Sequence, residues 1–168
     1  MLRQVAVRFL LLALIALPCV GCDQVTKHFA REHLAGAATR TWLHDTLRLQ
    51  YAENHGAFLS AGQGMSAEAR RVVLTGGSAL LIAGTMLALL LARDLSVYSA
   101  VALALIIAGG FGNLYDRLLH NGVVVDFMNI GLGRLRTGIF NFADVHLLIG
   151  VLMLLLAGRV TSPRWRKD

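Results

Sequence analysis

The stretch VVLTGGSALLIAGTMLALLLA, residues 72–92, is followed by Arg93 and Asp94 and then by LSVYSAVALALIIAGGFGNLY, residues 95–115. Each run is 21 residues long and carries no charge. About 20 apolar residues cross the hydrocarbon core as a helix. The pair therefore reads as two membrane spans folded into an antiparallel hairpin. Working outward, Phe9 to Cys22 is apolar and reaches spanning length once Val5 to Arg8 is included. Ile139 to Gly158 gives 20 residues with one carboxylate, Asp144, in its first part. The chain is thus expected to be an all-α membrane protein with four transmembrane helices, at about 5–26, 70–92, 95–116 and 141–159. The outer loops are 27–69 and 117–140, and residues 1–168 form a single domain.

Composition agrees. The 168 residues are 56% hydrophobic and 15% charged, with a mean hydropathy of +0.61. Soluble domains carry about 25% charged residues, and a chain this short buries only about two-thirds of its surface. The missing polar surface points to lipid as the solvent. The net charge of +6 does not indicate nucleic acid, because Lys and Arg form no stripe and fall between apolar runs. They read as topology signals and headgroup contacts. Cys19 and Cys22 form a Cys-x-x-Cys inside an apolar run, with no second pair and no βαβ pattern. They read as small residues on a membrane helix.

Arg3 and Arg8 precede the first run, and Val20-Gly21-Cys22 hints at a cleavage box. The charged stretch from Asp23 to Lys27 continues it as a helix, so the segment reads as retained. With the N-terminus inside, Arg3, Arg8, Arg93, Arg159, Arg164, Arg166 and Lys167 lie in short inner tails and one inner turn. The nine other basic residues spread over the two longer outer segments, as the positive-inside rule expects. In the first outer loop, Thr41 to Tyr51 partly alternates, and Gly56, Gly62 and Gly64 punctuate the residues after it. A small extracytoplasmic β element is expected there. Val123 to Ile139 mixes apolar residues with Gly131, Gly133, Arg134 and Arg136, and reads as a short interfacial helix.

A charge near a span is costly unless paired or hydrated, and here such charges gather at the outward ends. Asp23 and Lys27 share a helix face and can pair; taken alone they are a weak signal, and an interfacial salt bridge is the favoured reading. Asn113, Asp116 and Arg117 share a face after Gly109, Gly110 and Gly112, which permit close helix approach. That cluster is either a structural polar seam or part of a site. Asp126 follows three valines with no local partner. Asn141 and Asp144 open the last span, where Asn141 can cap the helix and an acid suits its dipole.

Taken together, Asp126 and Asp144 stand at the outer ends of adjacent spans and can converge. Two carboxylates held close in a low-dielectric site share a proton. One then activates water while the other protonates the carbonyl or the leaving amine. The chain has no Ser-His pairing motif, nucleophile elbow or His-Glu-x-x-His. His28, His33, His44, His55 and His120 lack metal-ligand spacing, and His146 lies roughly 200° around the helix from Asp144. No metal and no cofactor are expected.

These motifs resemble the lipoprotein signal peptidase (signal peptidase II) family. The matching residues are Asp23-Gln-x-x-Lys27, Asn54-His-Gly56-Ala57-Phe58, Gly109-Gly-x-Gly-Asn113-x-x-Asp116-Arg117, Val125-Asp126-Phe127 and Phe140-Asn141-x-Ala143-Asp144, spread over residues 5 to 160. The resemblance implies a bacterial inner-membrane aspartyl endopeptidase with four spanning helices, a β-cradle and a periplasmic interfacial helix. It implies that the enzyme cuts prolipoproteins just before a cysteine carrying diacylglycerol, and that globomycin-type cyclic peptides inhibit it. It implies Asp126 and Asp144 as the catalytic dyad. Asn54, Gly56, Asn113, Arg117 and Asn141 would line or brace the site, and Asp23, Lys27 and Asp116 would support it. Membrane lipid and prolipoproteins are the implied partners, the chain acting as a monomer. Two departures bear on substrate range and inhibitor sensitivity and fit a divergent paralogue. The family's second alanine is absent after Ala57, and His146 stands where a non-basic residue is usual. A proton-coupled transporter and a catalytically silent lipoprotein-binding paralogue are the competing readings.

Overall fold

The structure, a computed structural model, describes residues 2–56 and 66–157. Four helices occur in order: α1 (Leu2–His33), α2 (Ala67–Leu91), α3 (Val97–Leu119) and α4 (Phe142–Ala157). Between them lie β1 (Arg40–Trp42), β2 (Leu47–Asn54), β3 (Val124–Leu132) and β4 (Leu135–Arg136). The strands form one antiparallel sheet in the order β1-β2-β3-β4.

Helices α1, α2 and α3 are long and apolar enough to cross a membrane, while α4 has 16 described residues and is shorter. α2 begins at the cap Ser66 and α3 at the cap Ser96, whose side chains accept from the Ala69 and Ser99 amides. Serine suits both positions because its oxygen takes up one of the amides left unpaired in a first turn. The turn between them is 92–96, longer than Arg93 and Asp94 alone.

α3 is the central helix and packs against α1, α2 and α4. Buried Ala100, Ala104 and Ile107 meet Leu12 of α1 and Leu89 of α2. A run of alanines on α3 lets neighbouring backbones come close. By contrast, Leu80, Leu81, Leu87 and Leu91 of α2 are exposed. A row of leucines left outside the bundle belongs in hydrocarbon, where apolar side chains lose nothing.

Two expectations need correction. Residues 123–139 are not an interfacial helix; they form β3, the turn and β4, and among the described residues every helix belongs to α1–α4. The valines and Phe127 favour a strand, and β3 is covered on both faces over its first part, which hides the alternation a half-buried strand would show. Second, α1 does not end near residue 26 but runs to His33. Its last turns are buried in the bundle at Lys27 and Ala30, so 27–33 is helix rather than loop. The β element expected from Thr41 to Tyr51 covers the end of β1, the turn at 43–46 and the first part of β2.

Candidate active site

The site forms where β3 leaves α3 and where α4 begins. Phe127 and Met128 of β3 donate backbone hydrogen bonds to the Phe140 carbonyl, and the Phe140 amide returns one to Met128. This zips the residue before α4 onto β3 and sets Asn141 beside Asp126. The β2–β3 register shifts between Leu49 and Ala52, just before Ala52 pairs with Asp126. Such bulges bend a strand and re-aim its side chains.

Asp126 is 3% exposed. Its Oδ2 accepts from Asn54 Nδ2 at 2.9 Å, and its Oδ1 accepts from Asn141 Nδ2 at 2.7 Å. Burial, and secondarily the negative charge of Asp144, push its pKa up to about 6, against the pull of the two amides. The charged form is the one that loses hydration here, so the carboxyl keeps its proton to higher pH than a free one does.

Asp144 sits in the first turn of α4 and is half-buried. Its Oδ2 accepts from the Asn141 amide at 3.1 Å, while Asn141 Oδ1 accepts from the Asp144 amide at 3.0 Å. This reciprocal pair is a capping box with Asn and Asp in the two roles. The capping reading of Asp144 therefore holds, but it occupies one oxygen only. The other, Oδ1, accepts from Asn113 Nδ2 at 2.8 Å. Asp23 on α1 adds a third tie: its Oδ1 accepts from the Ala143 amide at 2.9 Å. An anion at a helix N-terminus is favoured by the helix dipole.

Beneath the two acids lies a closed charge cluster. Lys27 is fully buried, and its ammonium reaches Asp23 Oδ2 (2.8 Å), Asp116 Oδ2 (3.1 Å) and Asn113 Oδ1 (2.9 Å). An ammonium has three donors, and all three are satisfied. Asp116 also pairs with Arg31 at 3.4 Å. Asn113 is the link between the layers, because its oxygen takes Lys27 and Asn141 while its amide reaches Asp144. Small residues make room: a Cβ on Gly112 would stand 2.7 Å from Asp23 Oδ2 and 3.2 Å from Ala143 Cβ.

The structure thus brings together Asp23, Asn54, Asn113, Asp116, Lys27, Asp126, Asn141 and Asp144 through hydrogen bonds and ion pairs. Gly56 and Arg117 join from the side. The Gly56 amide donates to Asn54 Oδ1, and Arg117 donates to the Gly56 and Asn113 carbonyls at 3.3 and 3.4 Å rather than to either acid of the pair. Ala57 and Phe58 of the first-loop motif lie outside the described residues. Among the described residues, His146 makes no bond to Asp144, and its buried Nδ1 has no partner. Arg31 belongs to none of the sequence motifs. Its spacing of four from Lys27, on the Asp23–Lys27 face, is the signal that finds it, once α1 is known to extend that far.

Fold and site define a helical membrane protein with a pair of carboxyl groups, braced by shared amides, at one end of its bundle. The chain belongs to the signal peptidase II family, whose activity is the removal of signal peptides from prolipoproteins. The family model for signal peptidase (SPase) II matches residues 15–159. Two relatives called lipoprotein signal peptidase are similar over most of their length. The one from Bifidobacterium adolescentis is 34% identical over 171 residues, covering 99% of this chain and 85% of the relative. The one from Streptococcus thermophilus is 34% identical over 155 residues, covering 92% and 93%. Among solved structures, a bacterial membrane enzyme determined by the in meso method at 2.3 Å resolution is 26% identical, with a TM-score of 0.75 over 88% of this chain and 87% of that one.

Proposed function

We propose that the chain is an aspartyl endopeptidase that cleaves diacylglyceryl-modified prolipoproteins before the lipidated cysteine, with Asp126 and Asp144 as its dyad. The observation that carries this is the shared support of the two acids. Asn141 donates its side-chain amide to Asp126 and its backbone amide to Asp144, so one residue fixes both carboxylates. In the reactive state the pair shares one proton, and burial raises the affinity of Asp126 for it. Asp144, receiving the Asn113 and Asn141 donors, takes a proton from water as the water oxygen attacks the scissile carbonyl carbon. Asp126 gives its proton to the carbonyl oxygen as the tetrahedral intermediate forms. Collapse breaks the C–N bond, the proton taken by Asp144 passes to the leaving amine, and one hydroxyl of the gem-diol returns its proton to Asp126 as the product carboxyl forms.

In this reading α4 completes a set of four spans in the bacterial cytoplasmic membrane. Both termini are cytoplasmic and the dyad opens at the outer face. Globomycin-type peptides would compete for the same acids, and the monomer is the working unit. The transporter reading finds less support, since the acids lie at one end of the bundle rather than along it.

Complementation tests the proposal. Expressed in a bacterium lacking its own lipoprotein signal peptidase, the chain should restore maturation of lipidated prolipoproteins. A stably inserted protein that restores none would instead support a silent paralogue.

A further inference from the structure

Removal of a signal peptide creates an anion that the acid pair is ill suited to hold. The scissile amide is neutral, but the released signal peptide ends in a new α-carboxyl group. That group ionises by giving its proton to solvent. Beside Asp144 the ionisation is opposed, because two carboxylates held close in a low-dielectric site cannot both ionise at little cost. A cationic site next to the pair would relieve the conflict.

Between α2 and α3 is a cavity of about 270 Å³ lined by Arg71, Val72, Thr75, Gly76, Arg117 and Leu118. Arg117 is 8% exposed. Its Nη1 and Nη2 donate to the Asn113 and Gly56 carbonyls, and its buried Nε has no partner among the described residues. Thr75 Oγ1 is likewise buried and unpartnered. Thr26 and Thr85 each donate to the carbonyl four residues back in their helix, the usual outlet for a helical threonine; Thr75 does not. Arg71 makes no ion pair with any described residue. Its stem rests on Gly122, where a Cβ would stand 2.9 Å from Arg71 Cγ. A buried polar atom left unpaired is costly, so two on one small cavity call for a ligand.

The lining sets the chemistry of that ligand. It offers two guanidinium groups and a hydroxyl but no carboxylate, so the occupant is an anion with acceptor oxygens. A carboxylate matches the planar guanidinium fork. Val72 and Leu118 are 66% and 60% exposed, so the cavity opens sideways on an apolar rim, where hydrocarbon surrounds the bundle. Small-molecule pockets begin at about 300 Å³; this one takes the charged end of an apolar segment and leaves the segment outside. Arg117 joins the cavity to the acid pair, since its charge acts on both Asp126 and Asp144.

We infer that the cavity between α2 and α3 is a product site. Through Arg71, Thr75 and Arg117 it takes the terminal carboxylate of the cleaved signal peptide, drawing it off the acids toward the lipid. The uncleaved substrate carries a neutral amide in place of that carboxylate and gains nothing from the cavity. The inference deepens the peptidase reading and rests on it.

The test is a binding measurement on full-length wild-type protein in bicelles. Two signal peptides of one sequence are compared, both ending at the cleavage point, one as the free acid and one as the carboxamide. Neither can be cleaved, and at about pH 8 the acid is ionised. The acid should bind about tenfold tighter, the scale of one charge-assisted hydrogen bond. Arg71→Met and Thr75→Val should each cut that preference to about threefold or less, while Arg71→Lys and Thr75→Ser should keep most of it. Equal binding, a preference for the amide, or an acid preference that survives both Arg71→Met and Thr75→Val would overturn the inference. So would displacement of the acid peptide by short-chain phosphatidylglycerol with the same dependence on Arg71, which would assign the cavity to a lipid phosphate. Failure of the wild-type chain to cleave a prolipoprotein would count against the peptidase reading, while the acid preference still decides the cavity.

Discussion

Asn141 and Asp144 cap each other: Asn141 Oδ1 accepts from the Asp144 amide at 3.0 Å and Asp144 Oδ2 accepts from the Asn141 amide at 3.1 Å. The same few atoms start a helix and orient a candidate catalytic acid. The Asn141 side-chain amide is left free to reach across to Asp126, so the start of α4 sets the geometry of the pair.

Asn141→Ala should therefore harm activity more than stability. Losing a cap costs about 1 kcal/mol, which a melting curve in detergent would register as a modest fall. Loss of the shared donor should lower the rate of signal-peptide removal by about 100-fold or more, the scale of a misplaced general acid. A variant that melts far below wild type yet cleaves normally would show that Asn141 is only a cap.

The raised pKa of Asp126 makes stability depend on pH. Its folded value of about 6 lies above the ordinary 3.8, so the folded state binds the proton more tightly than the unfolded chain. The resulting stabilisation is complete below about pH 4 and is lost as pH rises through about 6. Wild-type protein should show this loss in melting temperature, and Asp126→Asn should flatten it. Activity should fall on the alkaline side with an apparent pKa that belongs to the pair. Parallel melting profiles for the two proteins would contradict the assignment.

Lys27 should be the most costly single charge to remove. It is fully buried and compensates both Asp23 and Asp116. Lys27→Met leaves two buried carboxylates short of a partner, and breaking one side of a buried pair costs about 3–5 kcal/mol. Adding Asp116→Asn should recover part of that loss, as coupled sites do. Thermal denaturation of the two variants checks this, and an additive second loss would show that the cluster is not coupled.

Glycine positions should separate by contact. Gly112→Ala would push a methyl against Asp23 Oδ2 and Ala143, displacing the residues that hold the start of α4. It should lower both stability and activity. Gly84→Ala meets nothing within 4 Å and should be neutral or mildly stabilising, since Ala exceeds Gly in helix preference by about 0.5–1 kcal/mol. Equal effects at the two sites would contradict the packing described.

Much of this architecture is legible in the sequence, because membrane spans announce themselves by the absence of charge. The 72–92 and 95–115 runs fall on α2 and α3, and the acids and amides at one end of the helices assemble into one network. What is not legible depends on partners distant in the chain. The charges of 23–33 look like an exit from the membrane, yet Lys27 and Arg31 are paired by Asp116 of α3. Arg8 reads as a topology signal, but its guanidinium is buried and donates to the Leu89, Leu90 and Ala92 carbonyls at the end of α2. Strand β3 is covered on both faces over its first half, so it lacks the alternation that marks a strand.

The most direct measurement is processing of a diacylglyceryl prolipoprotein by wild type, Asp126→Asn and Asp144→Asn, each quantified in the membrane fraction. Both variants should insert at wild-type levels, keep their folds and lose cleavage by about 100-fold or more. Cleavage by either variant within a few-fold of wild type would contradict the carboxylate dyad.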